Sequence, residues 1–145
     1  YREGLRDLPV TMNPYDEVNS EPNFWLSCLL IDEEAMCRQV RSDKEACYIP
    51  ERGKSCPTEI LEVLAKYNAE GRPIWKPMHA QPIFMNNPFV VREGIGRARS
   101  NPYIPGESED TGMDIFSRGL CLPSDNKMTA EEQKKVIEIV KECFR

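Results

Sequence analysis

The run FWLSCLLI, residues 24–31, carries no charge and lies between Pro22-Asn23 and Asp32-Glu33-Glu34. Its length suits a strand better than a helix. Apolar side chains fall at odd and even positions alike, so both faces avoid water, and the run is expected to be a buried central strand. The remaining sequence must supply what covers it.

Helices are the first candidates. In PTEILEVLAKYNAEG, residues 57–71, Ile60, Leu61, Leu64 and Tyr67 recur at helical spacing. Pro57 suits the first turn and Gly71 the position past the end, which predicts a helix of about twelve residues. Thr129-x-x-Glu132 forms a capping box ahead of Val136, Ile137, Val140 and Phe144, and that helix runs to the end of the chain. Between them DTGMDIFSR (110–118) reads as a short helix, capped by Asp110 or Thr111 and closed by Gly119. LCLP (120–123) then reads as a brief apolar strand.

The elements run strand, helix, strand, loop, helix, strand, helix, an α/β alternation. The expected fold is a small sheet of three to four strands with helices packed mainly on one face, the other face being covered by a further domain. Elsewhere, residues 1–7 read as the tail of a helix and 8–20 as a connector. Residues 33–56 read as a short helix followed by a loop ending in Pro50 and Gly53. Residues 85–110 show little periodicity and read as a long loop, of a kind that tends to be functional or mobile.

Composition narrows the class. The chain has 145 residues, 40% of them hydrophobic and 30% charged, which fits one globular domain and not a disordered tract. A net charge of −5 argues against nucleic-acid binding, and the basic run Arg92, Arg97, Arg99 is too short to reverse that. No run is long and apolar enough to predict a membrane helix. The opening Tyr1-Arg2-Glu3 suggests a piece of a longer protein. Of the cysteines, Cys28 and Cys121 lie in apolar runs and Cys143 at a helix end, where a thiol acts as a small hydrophobe. Cys37, Cys47 and Cys56 lack the CxxC spacing of a zinc site. The expectation is reduced thiols in a cytoplasmic protein, with no metal.

The sequence holds no GxGxxG, Walker loop, GxSxG or HExxH pattern, and its acidic residues are scattered on predicted helix faces. What remains is RPIWKPMHAQP, residues 72–82, which includes the only histidine in the chain. Each proline fixes φ and pushes the residue before it towards extended geometry, so a stiff, extended ribbon is expected. Trp75, Lys76 and His79 would then present a flat surface, a cation and a donor/acceptor side by side. That set suits a phosphorylated or sugar-nucleotide ligand. A connector with Trp75 in the core and His79 bonded to a backbone carbonyl fits the residues as well.

Taken in order, FWLSCLLID, the helix ending in Gly71, RPIWKPMHAQPIF, and IFSRGLCLPSDNKMTAEEQKKVIEIVKECF resemble the C-terminal part of the DegT/DnrJ/EryC1/StrS sugar aminotransferases. RPIWKPMHAQP and RGLCLPS followed by the T-x-E-[EQ] helix start are the most specific pieces. The resemblance covers about residues 22–32 and 57–145, while 33–56 and the 85–110 loop are less distinctive. It implies that residues 1–145 form the small C-terminal domain of an aspartate-aminotransferase-like, fold-type-I enzyme dependent on pyridoxal phosphate. Such an enzyme takes nitrogen from glutamate or glutamine and transfers it to a keto-sugar nucleotide for polysaccharide biosynthesis, as a homodimer.

The resemblance also implies that the chain is incomplete as a catalyst. The family's cofactor-holding lysine lies in a serine- and lysine-bearing motif upstream. None of Lys44, Lys54, Lys66, Lys76, Lys127, Lys134, Lys135 or Lys141 stands in such a motif. The cofactor would be bound mainly by the other domain, and the chain alone would be inactive. By position in the family loop, Trp75, Lys76 and His79 become substrate-binding candidates. Arg72 either faces the ligand or forms an ion pair that holds its strand. The competing reading is a stand-alone ligand-binding or protein-interaction module that kept the fold without catalysis. A coding sequence continuing upstream through the cofactor lysine would decide for the enzyme.

Overall fold

A computed structural model describes residues 1–41, 46–84, 87–88, 90–91, 94–95 and 110–145. The chain divides into two compact units, Tyr1–Ile74 with Arg118–Arg145, and Trp75–Ser117.

The first unit is a small α/β layer. Its antiparallel sheet has the order β1-β2-β8-β5, formed by Val10–Met12, Ser27–Ile31, Gly119–Leu122 and Arg72–Pro73. β2 is central, but it is shorter than its apolar run. The Asn23 side chain accepts a hydrogen bond from Trp25 N at 3.1 Å, and Phe24 turns to φ 51. This Asx turn breaks the extended backbone ahead of Ser27, leaving Phe24 54% and Trp25 73% exposed.

Registration sorts the side chains by face. Leu29 lies opposite Leu120, and Cys28 opposite Cys121. Leu29, Ile31, Leu120 and Leu122 therefore share one face, and all four are buried in one cluster with Ile60, Leu64, Val136, Ile139, Val140 and Phe144. These last six come from α1 (Pro57–Lys66), α3 (Ala130–Glu142) and the turn that follows α3. Each large aliphatic side chain so buried contributes about 1.5–3 kcal/mol. The opposite face carries Cys28 and Leu30, both only half-buried, so β2 is dry on one side and not on both.

The ends of α1 follow local rules with two unexpected residues. Pro57 is first in the helix and Cys56 is the N-cap, its sulfur accepting from Glu59 N at 3.4 Å. At the other end Asn68, not Gly71, takes the left-handed position, φ 58. Ala69 N donates to Leu64 O and Asn68 N to Ala65 O, both at 3.0 Å, which is the paired closure of a Schellman motif. Gly71 is needed for space: a Cβ there would stand 2.7 Å from Leu61 Cδ2 and 3.2 Å from the Cys121 carbonyl oxygen. α3 begins with the expected capping box between Thr129 and Glu132.

Several short elements differ from expectation. Residues 2–7 form hydrogen-bonded turns and not a helix. The connector contains β1, extended by Asn13, whose side chain donates to Leu26 O at 2.7 Å and accepts from Cys28 N at 3.1 Å. The region 33–56 has one 3-10 turn, Glu33–Ala35, and then a two-stranded ribbon of β3 (Gln39–Arg41) and β4 (Ala46–Tyr48) in place of a helix and loop.

The second unit holds two 3-10 turns, Met78–Ala80 and Pro82–Phe84, a short pairing of β6 (Val90–Val91) with β7 (Gly94–Ile95), and most of α2 (Thr111–Arg118). The remainder of the long loop expected over 85–110 lies largely outside the described residues.

Candidate functional site

The proline-rich segment is built in two pieces. Arg72–Pro73 is the edge strand β5, where Pro73 is tolerated because an edge strand has a side without ladder bonds. Beyond it the chain is not the continuous extended ribbon that the prolines suggested. Pro77 and Gln81 are extended, at ψ 147 and 139, and between them the backbone closes a 3-10 turn. Ala80 N donates to Pro77 O and Gln81 N to Met78 O, both at 3.0 Å. Gln81 Nε2 donates back to Lys76 O at 3.2 Å. A second turn follows directly, Phe84 N donating to Gln81 O at 2.9 Å. The segment is stiff through stacked turns as well as through its prolines.

This frame sets the candidate side chains. Trp75 is 64% exposed, so its ring is not part of a core. Lys76 is half-buried. His79 sits inside its turn with only 19% of its side chain exposed, and its Nε2 lies 2.6 Å from Oδ2 of Asp110, itself 16% exposed. Trp75, Lys76 and His79 thus belong to one unit, with His79 inside the first 3-10 turn and Trp75 and Lys76 just ahead of it. Arg72 belongs to the other unit, where its guanidinium pairs with Glu70 at 2.5 Å.

Asp110 carries more than the helix-capping role read from sequence. Its Oδ1 accepts from Met113 N at 3.0 Å, and its backbone carbonyl accepts from Asp114 N at 2.9 Å. The first turn of α2 also packs on the proline frame, since a Cβ added to Gly112 would lie 3.3 Å from Pro77 Cγ. The histidine, its carboxylate partner and a helix N-terminus form one connected assembly. No local sequence signal joins residues 79 and 110, which stand 31 positions apart.

The thiols form no comparable site. Cys37 is pushed up to about 12 by burial and by its hydrogen bond to Cys56. Cys121 is pushed up to about 12 by burial first and by neighbouring Cys28 second, the two sulfurs lying 3.8 Å apart. Cys143 is likewise raised to about 12 by burial. Thiols so shifted stay protonated and are poor nucleophiles at neutral pH. Among the described residues no three His, Cys, Asp or Glu side chains converge as a metal site. An open groove of about 970 Å³ beside α1 and α3, lined by Tyr67, Glu70, Asp125, Lys127 and Glu138, contains none of the candidate residues.

No family model matches the chain. A curated protein resembles it over part of its length. Over 91 residues the chain is 40% identical to "Putative pyridoxal phosphate-dependent aminotransferase EpsN" of Bacillus subtilis (strain 168). The match takes in 61% of this chain and 19% of that relative, so the chain spans about a fifth of the relative's length.

The described residues do not by themselves fit a pyridoxal phosphate site. Such a site needs a desolvated lysine and a cradle for the phosphate. Lys54 and Lys66 lie in surface ion pairs with Glu51 and Glu62. Lys127, Lys134 and Lys135 are exposed, and Lys76 and Lys141 are only half-buried. No described lysine is buried.

Proposed function

We propose that this chain is the C-terminal, substrate-side domain of a pyridoxal-phosphate-dependent aminotransferase of the DegT/DnrJ/EryC1/StrS group. The enzyme would move nitrogen from glutamate or glutamine to a keto-sugar nucleotide, in the cytoplasm, for polysaccharide biosynthesis. The observation that carries the reading is His79, pinned by Asp110 within a proline-framed turn, in a chain similar to an aminotransferase relative. A histidine anchored in this way suits ligand recognition, because its orientation is fixed before the ligand arrives.

The roles divide by chemistry. His79 hydrogen-bonds the sugar or orients a neighbouring group, Lys76 offers positive charge to phosphate or carboxylate, and the Trp75 ring gives a flat apolar face. Arg72 has the weaker claim, since its pairing with Glu70 accounts for its position. The cofactor supplies the electron sink and is held mainly by the other domain, in a homodimer. The placement of the cofactor is supported by the lysines among the described residues, none of which is buried.

Two measurements test this. The 145-residue chain alone, treated with pyridoxal phosphate and borohydride, should show no single labelled lysine and no transamination. Stoichiometric labelling of one lysine with turnover would overturn the division of labour. In the enzyme containing this chain, His79→Ala should reduce kcat/KM for the keto-sugar nucleotide about tenfold or more, as expected for losing a hydrogen bond to a charged or strongly polar group. The absorbance of bound cofactor should be unchanged. Unaltered kinetics would return His79 to a purely structural role.

A further inference from the structure

We propose that Asp110 is a positioning residue for His79, fixing which ring nitrogen carries the proton as well as how the ring is turned. The 2.6 Å contact joins Nε2 to a carboxylate oxygen, and both side chains are more than four-fifths shielded from solvent. An ionised carboxylate only accepts, so Nε2 must donate, and the neutral ring carries its lone pair on Nδ1. The same carboxylate is held from its other oxygen by Met113 N at 3.0 Å, so it cannot rotate without uncapping α2. On the other side the ring's backbone is closed by the turn from Pro77 to Gln81, and Pro77 rests against Gly112. Both partners are thereby fixed at the backbone, which is the arrangement in which a carboxylate can dictate a histidine tautomer.

Asp110 acts through His79 and is not assigned a contact with any ligand. That the ring serves a keto-sugar nucleotide rests on the function proposed above. The tautomer does not rest on it.

Asp110→Asn separates the two roles of this carboxylate. The amide oxygen can still accept from Met113 N and keep the helix cap, while the amide nitrogen then faces Nε2 as a donor. Nε2 must become the acceptor and the proton must move to Nδ1. His79 is the sole histidine of these 145 residues, and nitrogen-15 spectra of the enzyme containing this chain, compared with those of a His79→Gln variant, assign its imidazole pair by difference. With the ring neutral, the unmodified protein should show the proton on Nε2, and Asp110→Asn should show it on Nδ1. Asp110→Ala should lower the fraction of rings protonated on Nε2. If Asp110→Ala fails to fold, the Asn variant still decides. An unchanged tautomer in the Asn variant, or a mixture in the unmodified protein, would overturn the proposal.

In the enzyme containing this chain, the swapped tautomer should lower kcat/KM for the keto-sugar nucleotide about tenfold without altering bound-cofactor absorbance. A tautomer swap with undiminished kcat/KM would remove the positioning role. A tautomer swap in a protein that transaminates no keto-sugar would count against the aminotransferase reading alone.

Discussion

At Asn68 the backbone turns to φ 58 so that Ala69 N and Asn68 N can close the end of α1. Residues with a Cβ resist this conformation by about 1–2 kcal/mol, and Asn less than most. Asn68→Ala should therefore lower stability by about 1 kcal/mol in urea titration, whereas Asn68→Gly should preserve or raise it. Gly71 fails for a different reason. Gly71→Ala drives a methyl group into Leu61 and towards the Cys121 carbonyl, and should cost about 1–3 kcal/mol by overpacking. The buried thiols add a pH dependence whose sign follows from their shifts. Cys37, Cys121 and Cys143 ionise near 9.0 when unperturbed and are pushed up to about 12 in the fold. Above the lower value the unfolded chain sheds protons that the folded chain retains. The stability they contribute is thus complete below about pH 9 and is lost as pH rises towards 12. Urea midpoints should fall steadily through that window. A flat profile would show that the thiols are solvated in the folded protein.

Among the elements, α3 rests on the clearest local signal. Thr129 Oγ1 accepts from Glu132 N at 3.2 Å while the Glu132 carboxylate accepts from Thr129 N at 2.8 Å. Thr129→Ala should cost about 1 kcal/mol, measured by thermal or urea unfolding. Both long helices could be read from sequence because capping, periodicity and proline placement are local. The short strands could not. β1 has three residues, and its place is set by pairing with β2 and by the Asn13 side chain, which continues the ladder past the strand's end. β3 and β4 likewise depend on each other, with too few residues apiece for alternation to register. In β2 the apolar pattern identified a central strand correctly but overran its start, because Asn23 and Phe24 impose a turn that hydrophobicity does not encode.

At the scale of the molecule, the α/β layer follows from β2, β8, α1 and α3, all legible in the chain, while the edge strand β1 and the contact between His79 and Asp110 were not. Tryptophan, lysine and histidine amid prolines mark a stiff loop, which by residue type alone fits a connector as well as a ligand site. The carboxylate that holds the histidine reaches it only through folding, so Asp110 read as a helix cap and nothing more. The central proposal is that His79 serves the keto-sugar half of a transamination. Rapid-mixing absorbance can follow the two half-reactions separately in the enzyme containing this chain. His79→Ala should leave the glutamate half-reaction at its normal rate and slow the keto-sugar half-reaction by about tenfold or more. Equal slowing of both halves, or of neither, would contradict the account.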